Sequence, residues 1–467
     1  MRFRSLARLG LLVAMGLGLR PCMAGSPGRD AIAAVRPQVT LIPSQRCSVL
    51  VQPELRLYSP VRGRCQVQVT QAGVRRKAFE SAFEGPGGES RRALDLGGLS
   101  GTFSIECSFL DARGREIGRL VTSLEVVDTS TRSTQLLDGC WISLYHWSED
   151  EGRHFNQDLG RLSAQEWRQQ IHAMKRVGIQ HVIIQNVFEC DEYAGKHHMD
   201  LASYKGKAYY PSRAYKARHR LGTEDPIEAI LAAADEVQMD VFLGVGLFAW
   251  FDFSTTSLRW HKTITRELFD RYGQHPSLYG WYVSEEIFGS LYHEWEFVKP
   301  QHHSDIRKFF KSYQQFVRKL TPTKPIALAP NNERFEKYPR EWREILEHVD
   351  ILIPFGFARD AEHMNLAAVA SICQASGTHF WVDLEMFAWP LDDGLVPKSC
   401  PDLIQEIRTY DQLEQIYGYQ FTGIMNPPES PRNLGGEKAK ALYRDYHQYY
   451  QGGSSGAKGA AHERVRP

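Results

Sequence analysis

The sequence predicts a (β/α)8 TIM barrel preceded by a small all-β sandwich domain of the immunoglobulin-like kind. Two patterns along the chain predict this fold class. Between about residues 35 and 127, apolar and polar residues alternate with period two, and from residue 138 strand-like and helix-like patterns alternate eight times. The chain has 467 residues, of which 42% are hydrophobic, so it is long enough for both domains and too apolar to be disordered.

The first 24 residues are typical of an export signal. Arg2, Arg4 and Arg8 form a basic start, residues 9–19 form an apolar stretch too short to span a bilayer, and Ala24 supplies the small residue of a cleavage site. We therefore expect a signal peptide over residues 1–24 and a periplasmic or extracellular protein. A lipoprotein tether is the less favoured alternative, because Arg and Pro precede the cysteine at position 22 where small residues are preferred.

Residues 35–127 are predicted to form the β-sandwich domain, and residues 128–137 a linker. Runs around Cys47, Cys65 and Cys107 alternate apolar and polar residues, and Gly-rich turns separate them. Each run places a cysteine on the apolar face, and an exported protein meets oxidising conditions, so we expect one buried disulfide. Cys65 with Cys107 is the preferred pair, and Cys47 is the alternative partner.

Residues 138–451 are predicted to form the barrel. Ser163 to Glu166 has the pattern of a capping box that begins a helix, and Asp225 followed by Pro226 marks the start of another. A doubly wound open sheet is the competing architecture, but no Gly-rich phosphate-binding sequence follows the first strand. The predicted strands cover residues 139–145, 181–188, 241–248, 279–287, 325–329, 351–357, 378–387 and 421–426. The first two predicted helices begin at residues 163 and 225, and the third ends near residue 273. The later predicted helices cover residues 305–320, 340–349, 366–376, 402–417 and 437–450. A disordered tail is predicted over residues 452–467.

Strand seven is predicted to end in two inward-facing carboxylates. Within residues 380–387 the apolar side chains occupy every second position, so they face the surrounding helices. Asp383 and Glu385 then point into the barrel, and Glu385 lies at the carboxyl end of the strand, where TIM barrels place their chemistry.

Strand four is predicted to have the same arrangement. Tyr279, Trp281 and Val283 form its outward apolar face, which places Glu286 inwards at the mouth of the barrel. Glu285 has the opposite parity and remains a second candidate for the acidic residue of this strand, because strand ends can bend. The positions predicted to face inwards are Gly280, Tyr282, Ser284 and Glu286.

Two carboxylates at one barrel mouth suit cleavage of a glycosidic bond, because one must protonate the leaving oxygen while the other attacks the anomeric carbon or activates water. Their placement resembles the large retaining glycoside-hydrolase clan of (β/α)8 enzymes. That resemblance implies that Glu286 is the acid/base and Glu385 the nucleophile, with carboxyl groups about 5 to 5.5 Å apart. The sequence departs from the clan pattern, since Ser284 and Glu285 precede Glu286, and the Asn that would donate to the sugar 2-hydroxyl is missing.

The barrel segment also resembles a bacterial family of glycoside-hydrolase-like barrels, the domain of unknown function 4434. The resemblance extends from residue 138 to about residue 430 and implies the barrel fold without indicating a substrate. It is carried by residues 138–141, 166–167, 174–179 and 276–287.

These observations predict an exported retaining glycosidase that acts on a polysaccharide or oligosaccharide. The alternative is a non-catalytic carbohydrate-binding or exopolysaccharide-assembly protein with a glycosidase-like barrel. Aromatic side chains at the strand ends would stack on sugar rings, and amides and carboxylates would bond hydroxyls. The residues expected to contact substrate in this way are Tyr145, Trp147, Gln185, Asn186, Trp250, Tyr282, Asn331, Asn332, Asp383, Trp389 and Asn426.

No cofactor, metal site or nucleic-acid partner is predicted. The sequence has no C-x-x-C or H-E-x-x-H spacing, so a metal-dependent hydrolase is disfavoured. With 56 basic and 55 acidic residues the chain has no electrostatic reason to bind nucleic acid. No membrane span is predicted, and the sequence leaves the oligomeric state open.

Overall fold

The structure is a computed structural model of the full chain. It describes residues 49–51, 62–84, 92–94, 101–126, 135–189, 204–245, 252–291, 303–321, 324–332, 334–356, 366–388, 393–410 and 413–462. The predicted signal peptide, Cys47, Trp250 and Trp389 lie outside the described residues, as does most of the predicted linker.

The N-terminal region contains an antiparallel sheet and a separate two-stranded ribbon. The sheet has the order β3-β2-β5-β6, and β1 pairs with β4. Every second residue of β2 is buried, beginning with Cys65, Val67 and Val69, so the predicted period-two pattern is confirmed. The described residues do not show the second packed sheet that a sandwich requires. The strands are β1 Val49–Val51, β2 Arg62–Gln71, β3 Val74–Glu84, β4 Arg92–Leu94, β5 Gly101–Asp111 and β6 Glu116–Val126.

Cys65 and Cys107 are both free thiols, which corrects the predicted disulfide. Cys65 pairs with Phe109 and Val67 pairs with Cys107, so the two cysteines are diagonal neighbours on adjacent strands. Diagonal Cα atoms in an antiparallel pair lie about 7–8 Å apart, beyond the span of about 4.4–6.8 Å found in most disulfides. The thiols hydrogen-bond instead, and this bond together with burial raises the pKa of the Cys65 thiol.

The second region is a parallel barrel with two short antiparallel ribbons at its strand ends. Its sheet has the order β15-β14-β13-β12-β11-β8-β7-β19-β16, in which every neighbouring pair is parallel. The ribbons pair β9 with β10 and β17 with β18. The strands are β7 Gly139–Ile142, β8 His181–Ile184, β9 Phe188–Glu189, β10 Lys207–Ala208, β11 Asp240–Gly244, β12 Leu278–Val283, β13 Ile326–Leu328, β14 Ile351–Leu352, β15 His379–Phe380, β16 Val382–Glu385, β17 Phe387–Ala388, β18 Val396–Pro397 and β19 Ile416–Tyr419.

We call each continuous strand of the barrel a stave and number the staves in chain order: β7, β8, β11, β12, β13, β14, β15 with β16, and β19. β15 and β16 are two halves of stave seven, interrupted only at Trp381, and they close the barrel. The Trp381 and Asp383 amides donate to the Leu352 and Pro354 carbonyls of stave six, while the Val382 amide donates to a carbonyl on the stave-eight side. Stave seven is therefore bonded to both neighbours, and the nine strands form eight staves. The predicted TIM-like barrel is confirmed.

Nine α-helices are described, and two of them begin at the predicted caps. Ser163 and Glu166 form a reciprocal capping box at α2, and the Asp225 carboxylate accepts from the Glu228 amide at α3, with Pro226 in the first turn. The helices are α1 Asn156–Leu159, α2 Ala164–Arg176, α3 Pro226–Val237, α4 Thr255–Tyr272, α5 His303–Leu320, α6 Pro339–Leu346, α7 Leu366–Ser376, α8 Cys400–Thr409 and α9 Gly436–His462. α9 thus extends through part of the segment that the sequence predicts as a disordered tail, because extending an existing helix costs far less than nucleating one.

The eighth stave lies earlier in the chain than predicted. It is β19, whereas residues 421–426 form turns and α8 ends well before the predicted residue 417. Asp138 fixes this position, because its carboxylate accepts from the Ile416 amide at 2.8 Å and its own amide donates to the Ile416 carbonyl at 2.8 Å. Tyr417 pairs with Gly139, which leaves room for the ring because it has no side chain. This long-range fit has no local signal in the sequence.

Aromatic rings fill much of the inside of the barrel, and a larger layer of aliphatic and aromatic side chains packs between the barrel and its helices. His181 lies parallel to the rings of Tyr417 and Trp381, with centroids 5.9 and 6.2 Å apart, and Phe242 meets Tyr279 edge to face at 4.8 Å. The inside is therefore a packed core rather than a pore, and substrate access is limited to the mouth. Among the described residues, no helix combines the length and the apolar character needed to cross a membrane.

Candidate active site at the barrel mouth

The carboxylates of stave seven face into the barrel. Val382 and Leu384 belong to the apolar layer beneath the helices, whereas Trp381 belongs to the barrel interior. Alternation along the strand places Asp383 and Glu385 on the interior side, as the sequence predicts. Asp383 is 4% exposed and Glu385 6%, so both carboxylates are nearly removed from bulk water.

Stave four is irregular at Tyr279. The register between β11 and β12 shifts there, and the Tyr279 ring turns into the barrel, which corrects its predicted outward orientation. Beyond the bulge the predicted parity holds, with Trp281 and Val283 outside and Tyr282 inside. Glu286, at the end of this stave, is half-buried.

Glu285 points away from the mouth. Its carboxylate lies 3.7 Å from Nε2 of His261 on α4, and both side chains are fully buried. Since neighbouring residues of a strand face opposite sides, this orientation directs Glu286 towards the mouth. The structure therefore places the second candidate for the acidic residue behind the barrel wall.

Tyr282 lies near the carboxylates of both staves. Burial first, then the negative charge of Asp383, and more weakly those of Glu286 and Glu285, raise the pKa of the Tyr282 phenol well above its usual range. A hydrogen bond with Trp141 opposes this rise. Charges from staves four and seven thus both act on this phenol, so acidic side chains of the two staves lie near Tyr282.

A hydrogen-bond network joins the ends of four staves around Gln185. The Tyr419 hydroxyl donates to Gln185 Oε1 at 2.8 Å, and Ser143 Oγ contacts the same oxygen at 2.8 Å. The Ser284 hydroxyl donates to the backbone carbonyl of Gln185 at 2.5 Å. Ser143 also contacts Oε1 of Gln420, which links the network to the loop after stave eight.

Tyr145 and Trp147 follow the first stave and are both half-buried. The Tyr145 hydroxyl donates to Glu149, and its ring centroid lies 4.5 Å from that of His219. Burial and the bond to Glu149 raise the pKa of Tyr145. Trp147 lies beside His146, with centroids 5.9 Å apart. Each ring therefore keeps an exposed part.

Two of the predicted asparagines support loops instead of lining the mouth. Asn186 is 3% exposed, and its amide donates to the Phe188 carbonyl at 2.6 Å. Asn426 is fully buried and donates to the Arg432 carbonyl at 3.1 Å while it accepts from Gln170 of α2. Neither side chain has a surface on which a sugar could bind.

Asn331 and Asn332 follow the fifth stave. The backbone of Asn331 forms bridges to Phe288 and Phe355, so it joins the ends of staves four, five and six. Both side chains lie beside Gly356, about 3.8 and 3.9 Å from where a Cβ would be. Nδ2 of Asn332 is buried and bonds none of the described residues, which marks a donor at this end of the barrel.

Ser143 and Tyr419 also belong to the mouth, although neither is among the residues predicted from the sequence. Tyr419 was missed because the eighth stave was predicted too late in the chain, and a strand over residues 416–419 would have placed Tyr419 at its carboxyl end. Ser143 directly follows β7, so its position relative to the strand end was a signal that could have found it. The described residues contain no group of three or more His, Cys, Asp or Glu side chains that could hold a metal ion.

A family model described as "Domain of unknown function (DUF4434)" matches residues 137–432. The chain belongs to this family. The DUF4434 match contains all eight staves and both Glu286 and Glu385, and it ends before α9. No curated protein is similar enough to match the chain.

Solved structures that resemble this DUF4434 protein do so at low scores. A "putative alpha-L-fucosidase" from Bacteroides thetaiotaomicron is 17% identical, with a TM-score of 0.49, over 70% of this chain and 98% of that chain. A β-glucuronidase from Parabacteroides merdae is 13% identical, with a TM-score of 0.39, over 91% of this chain and 52% of that chain. A GH2 β-galacturonidase from Eisenbergiella tayi is 13% identical, with a TM-score of 0.38, over 86% and 69% of the two chains. The chain spans about half of the β-glucuronidase, and likenesses this weak do not establish a shared activity.

Proposed function

We propose that this DUF4434 protein is an exported glycoside hydrolase that cleaves a polysaccharide or oligosaccharide with retention of configuration. The observation that carries the proposal is the pair of inward-facing glutamates, Glu286 and Glu385, at the carboxyl ends of staves four and seven of a closed barrel. The N-terminal export pattern is the basis for the proposed location.

The proposed reaction has two steps. Glu385 attacks the anomeric carbon, and the bond from that carbon to the leaving oxygen breaks as Glu286 transfers its proton to that oxygen. Glu286, now a carboxylate, then removes a proton from water, whose oxygen attacks the anomeric carbon and releases Glu385. The near-complete burial of Glu385 suits the nucleophile, because fixed protein groups then replace most of its hydration shell.

The surroundings support the roles of the two glutamates. Glu286 is half-buried, which leaves access for the leaving group and for water. Tyr282 and Asp383 precede the two glutamates along their strands and so lie deeper in the barrel. Trp141 of stave one contacts Tyr282 at this depth. With the packed barrel core below, a bound sugar can enter only from the rim.

The test is release of reducing ends from a panel of bacterial and plant polysaccharides and of 4-nitrophenyl glycosides. We expect Glu385→Gln to lower activity by roughly 10⁴-fold or more, by analogy with the loss of other catalytic nucleophiles. Glu286→Gln should slow substrates with poor leaving groups far more than 4-nitrophenyl glycosides, which need little protonation. The matched control is Glu236→Gln on α3, an exposed side chain paired with Arg168, which should retain full activity.

Two further measurements separate the mechanisms. Azide added to Glu385→Ala should restore activity and yield a glycosyl azide of inverted configuration, as expected when an external anion replaces the nucleophile. Nuclear magnetic resonance of the first-formed product anomer reports retention directly. A protein that binds glycans but releases no reducing ends, with affinity unchanged in both glutamine variants, would be the non-catalytic carbohydrate-binding protein, and the hydrolase proposal would be wrong.

A further inference from the structure

The two residues before Glu286 present no side-chain hydrogen-bond donor to the mouth. Glu285 faces His261 behind the barrel wall, and the Ser284 hydroxyl donates to the Gln185 carbonyl at 2.5 Å. A donor to a sugar bound beside Glu286 therefore has to come from a residue other than these two. Such a donor matters because hydrogen bonds to the hydroxyl next to the anomeric centre strengthen in the transition state of glycoside cleavage.

Gln185 lies where it could supply this hydrogen-bond donor through its side-chain amide. It follows β8, and Ile183 two residues earlier faces the barrel interior, so alternation places Gln185 inwards at the mouth. Its side chain is half-buried. The Ser284 bond ties its backbone to the stretch that carries Glu286, so the amide and the acid/base candidate belong to one connected part of the rim.

Two surrounding hydroxyls contact the oxygen half of the Gln185 amide. Oε1 accepts from the Tyr419 hydroxyl at 2.8 Å and contacts Ser143 Oγ at 2.8 Å. Nε2 makes no hydrogen bond to any described residue. With the oxygen held from staves one and eight, the amide cannot rotate freely, and its two N–H donors are directed away from these hydroxyls. A donor held in this way binds a ligand at a smaller entropic cost than a mobile side chain.

The backbone at Gln185 is also confined. A Cβ on Gly244 of stave three would lie 2.1 Å from the Gln185 carbonyl oxygen, so the two staves approach each other closely at this level. Together with the Ser284 bond to the same carbonyl, this packing confines the Gln185 backbone, while Ser143 and Tyr419 hold its side-chain oxygen.

We propose that Gln185 Nε2 donates a hydrogen bond to the 2-hydroxyl of the sugar whose glycosidic bond is cleaved, so that Gln185 determines specificity for substrates that carry this hydroxyl. The inference rests on the proposed function, because it takes Glu286 as the acid/base. The inference assigns the donor to the 2-hydroxyl to Gln185, at the end of stave two, instead of to the residue that precedes Glu286 on stave four.

The test combines a change in the protein with a change in the sugar. The variants are Gln185→Met, which keeps the length of the side chain, and Gln185→Glu, which keeps oxygens near Ser143 and Tyr419 but removes the amide donors. The substrates are the 4-nitrophenyl glycoside that the wild type cleaves fastest and its 2-deoxy and 6-deoxy forms. The control is Gln180→Met, which is exposed and precedes the amino-terminal end of the same stave.

We expect both Gln185 variants to lose about 10-fold or more in kcat/KM on the parent and the 6-deoxy substrate, and less than about twofold on the 2-deoxy substrate, since only the last lacks the acceptor. A structural role would lower activity on all three substrates equally, and that result would overturn the inference. Gln180→Met should behave as wild type throughout.

The same comparison is made for binding of the methyl glycosides by calorimetry. Coupling between Gln185 and the 2-hydroxyl in binding, without any turnover, would support the assignment of Gln185 while contradicting the proposed function. If the protein neither cleaves nor binds any member of the panel, both the proposed function and this inference are wrong.

Discussion

Glu285 and His261 face each other behind the fourth stave, with Oε1 and Nε2 3.7 Å apart and neither side chain exposed. His261 belongs to α4, so the contact joins the outer helix to the strand end that carries Glu286. Nδ1 of His261 is held in turn by the Ser257 carbonyl at 2.8 Å. The contact lies on the outer side of the strand end, as alternation along the strand requires for the residue before an inward-facing Glu286.

Removal of His261 should destabilise the protein. His261→Ala leaves a cavity against Phe309 and removes the neighbour of a buried carboxylate, so we expect the free energy of unfolding to fall by about 3 kcal/mol. The midpoint and slope of urea unfolding measure this loss. His172→Ala is the control, because His172 pairs with Glu236 on the surface, and it should cost less than about 1 kcal/mol. Equal losses in the two variants would contradict the structural role of His261.

Two buried histidines should make the fold sensitive to acid. Burial lowers the pKa of His146 and of His261 from 6.5 to about 4, although the bonds to Ser148 and Ser257 oppose the shift. Between about pH 6.5 and pH 4 the unfolded chain binds these protons and the folded chain does not, so stability falls as the pH falls through this window. Each histidine contributes about 3 kcal/mol at most, and Glu151 facing His146 and Glu285 facing His261 are the nearby carboxylates.

The measurement is the free energy of unfolding against pH for the wild type and for a His146→Gln, His261→Gln double variant. The double variant should show a shallower loss below pH 6.5. His275→Gln is the control of opposite sign. Although burial opposes it, hydrogen bonds to Asp235 and Glu228 raise the pKa of His275, so its contribution is complete below pH 6.5 and is lost as the pH rises through its raised pKa. An unchanged slope in the double variant would exclude the two buried histidines as the cause.

Gly139 should tolerate no side chain. A Cβ at this position would lie 2.1 Å from the Tyr417 ring, so Gly139→Ala must displace stave one or stave eight, and we expect a loss of about 1–3 kcal/mol. The double variant that combines Gly139→Ala with Tyr417→Leu should recover part of this stability, because the smaller Leu side chain leaves room for the methyl group of Ala. Gly452→Ala, which has nothing within 4 Å of the added Cβ, is the control and should be neutral or slightly stabilising. Thermal unfolding of the four proteins checks the order.

Tyr282 should matter more to activity than to stability. Tyr282→Phe removes the hydroxyl that lies near Asp383 and Glu286, and we expect kcat/KM to fall by about 10-fold while the fold remains intact. Tyr313→Phe is the matched control, because Tyr313 is equally buried and its hydroxyl bonds Thr265 between α4 and α5 at 2.8 Å. Both variants should lose a similar amount of stability, and only the first should lose activity. If kcat/KM fell in both variants, or in neither, the assignment of Tyr282 to the site would be wrong.

Local patterns determined much of this protein without reference to its tertiary structure. The capping residues Ser163 and Asp225 mark their helices because a cap is satisfied by backbone groups within one turn. The inward orientation of Asp383 and the outward orientation of Glu285 follow from the alternation of side chains along a strand. Eight strand–helix repeats were enough for the barrel, since such repeats form a parallel sheet.

Only the tertiary structure decided the features that depend on contacts between distant segments. Stave eight begins at Ile416 because Asp138 bonds its backbone, and Tyr279 turns inwards because the register shifts against stave three. Which group of an amide stays available also depends on contacts between distant segments. Gln170 donates to the Asn426 oxygen, whereas Ser143 and Tyr419 contact the Gln185 oxygen and no described residue bonds its nitrogen. The physical reason is that periodicity fixes the direction of a side chain relative to its own strand, whereas register, closure and hydrogen-bond pairing are set by the neighbours that the folded chain brings beside it.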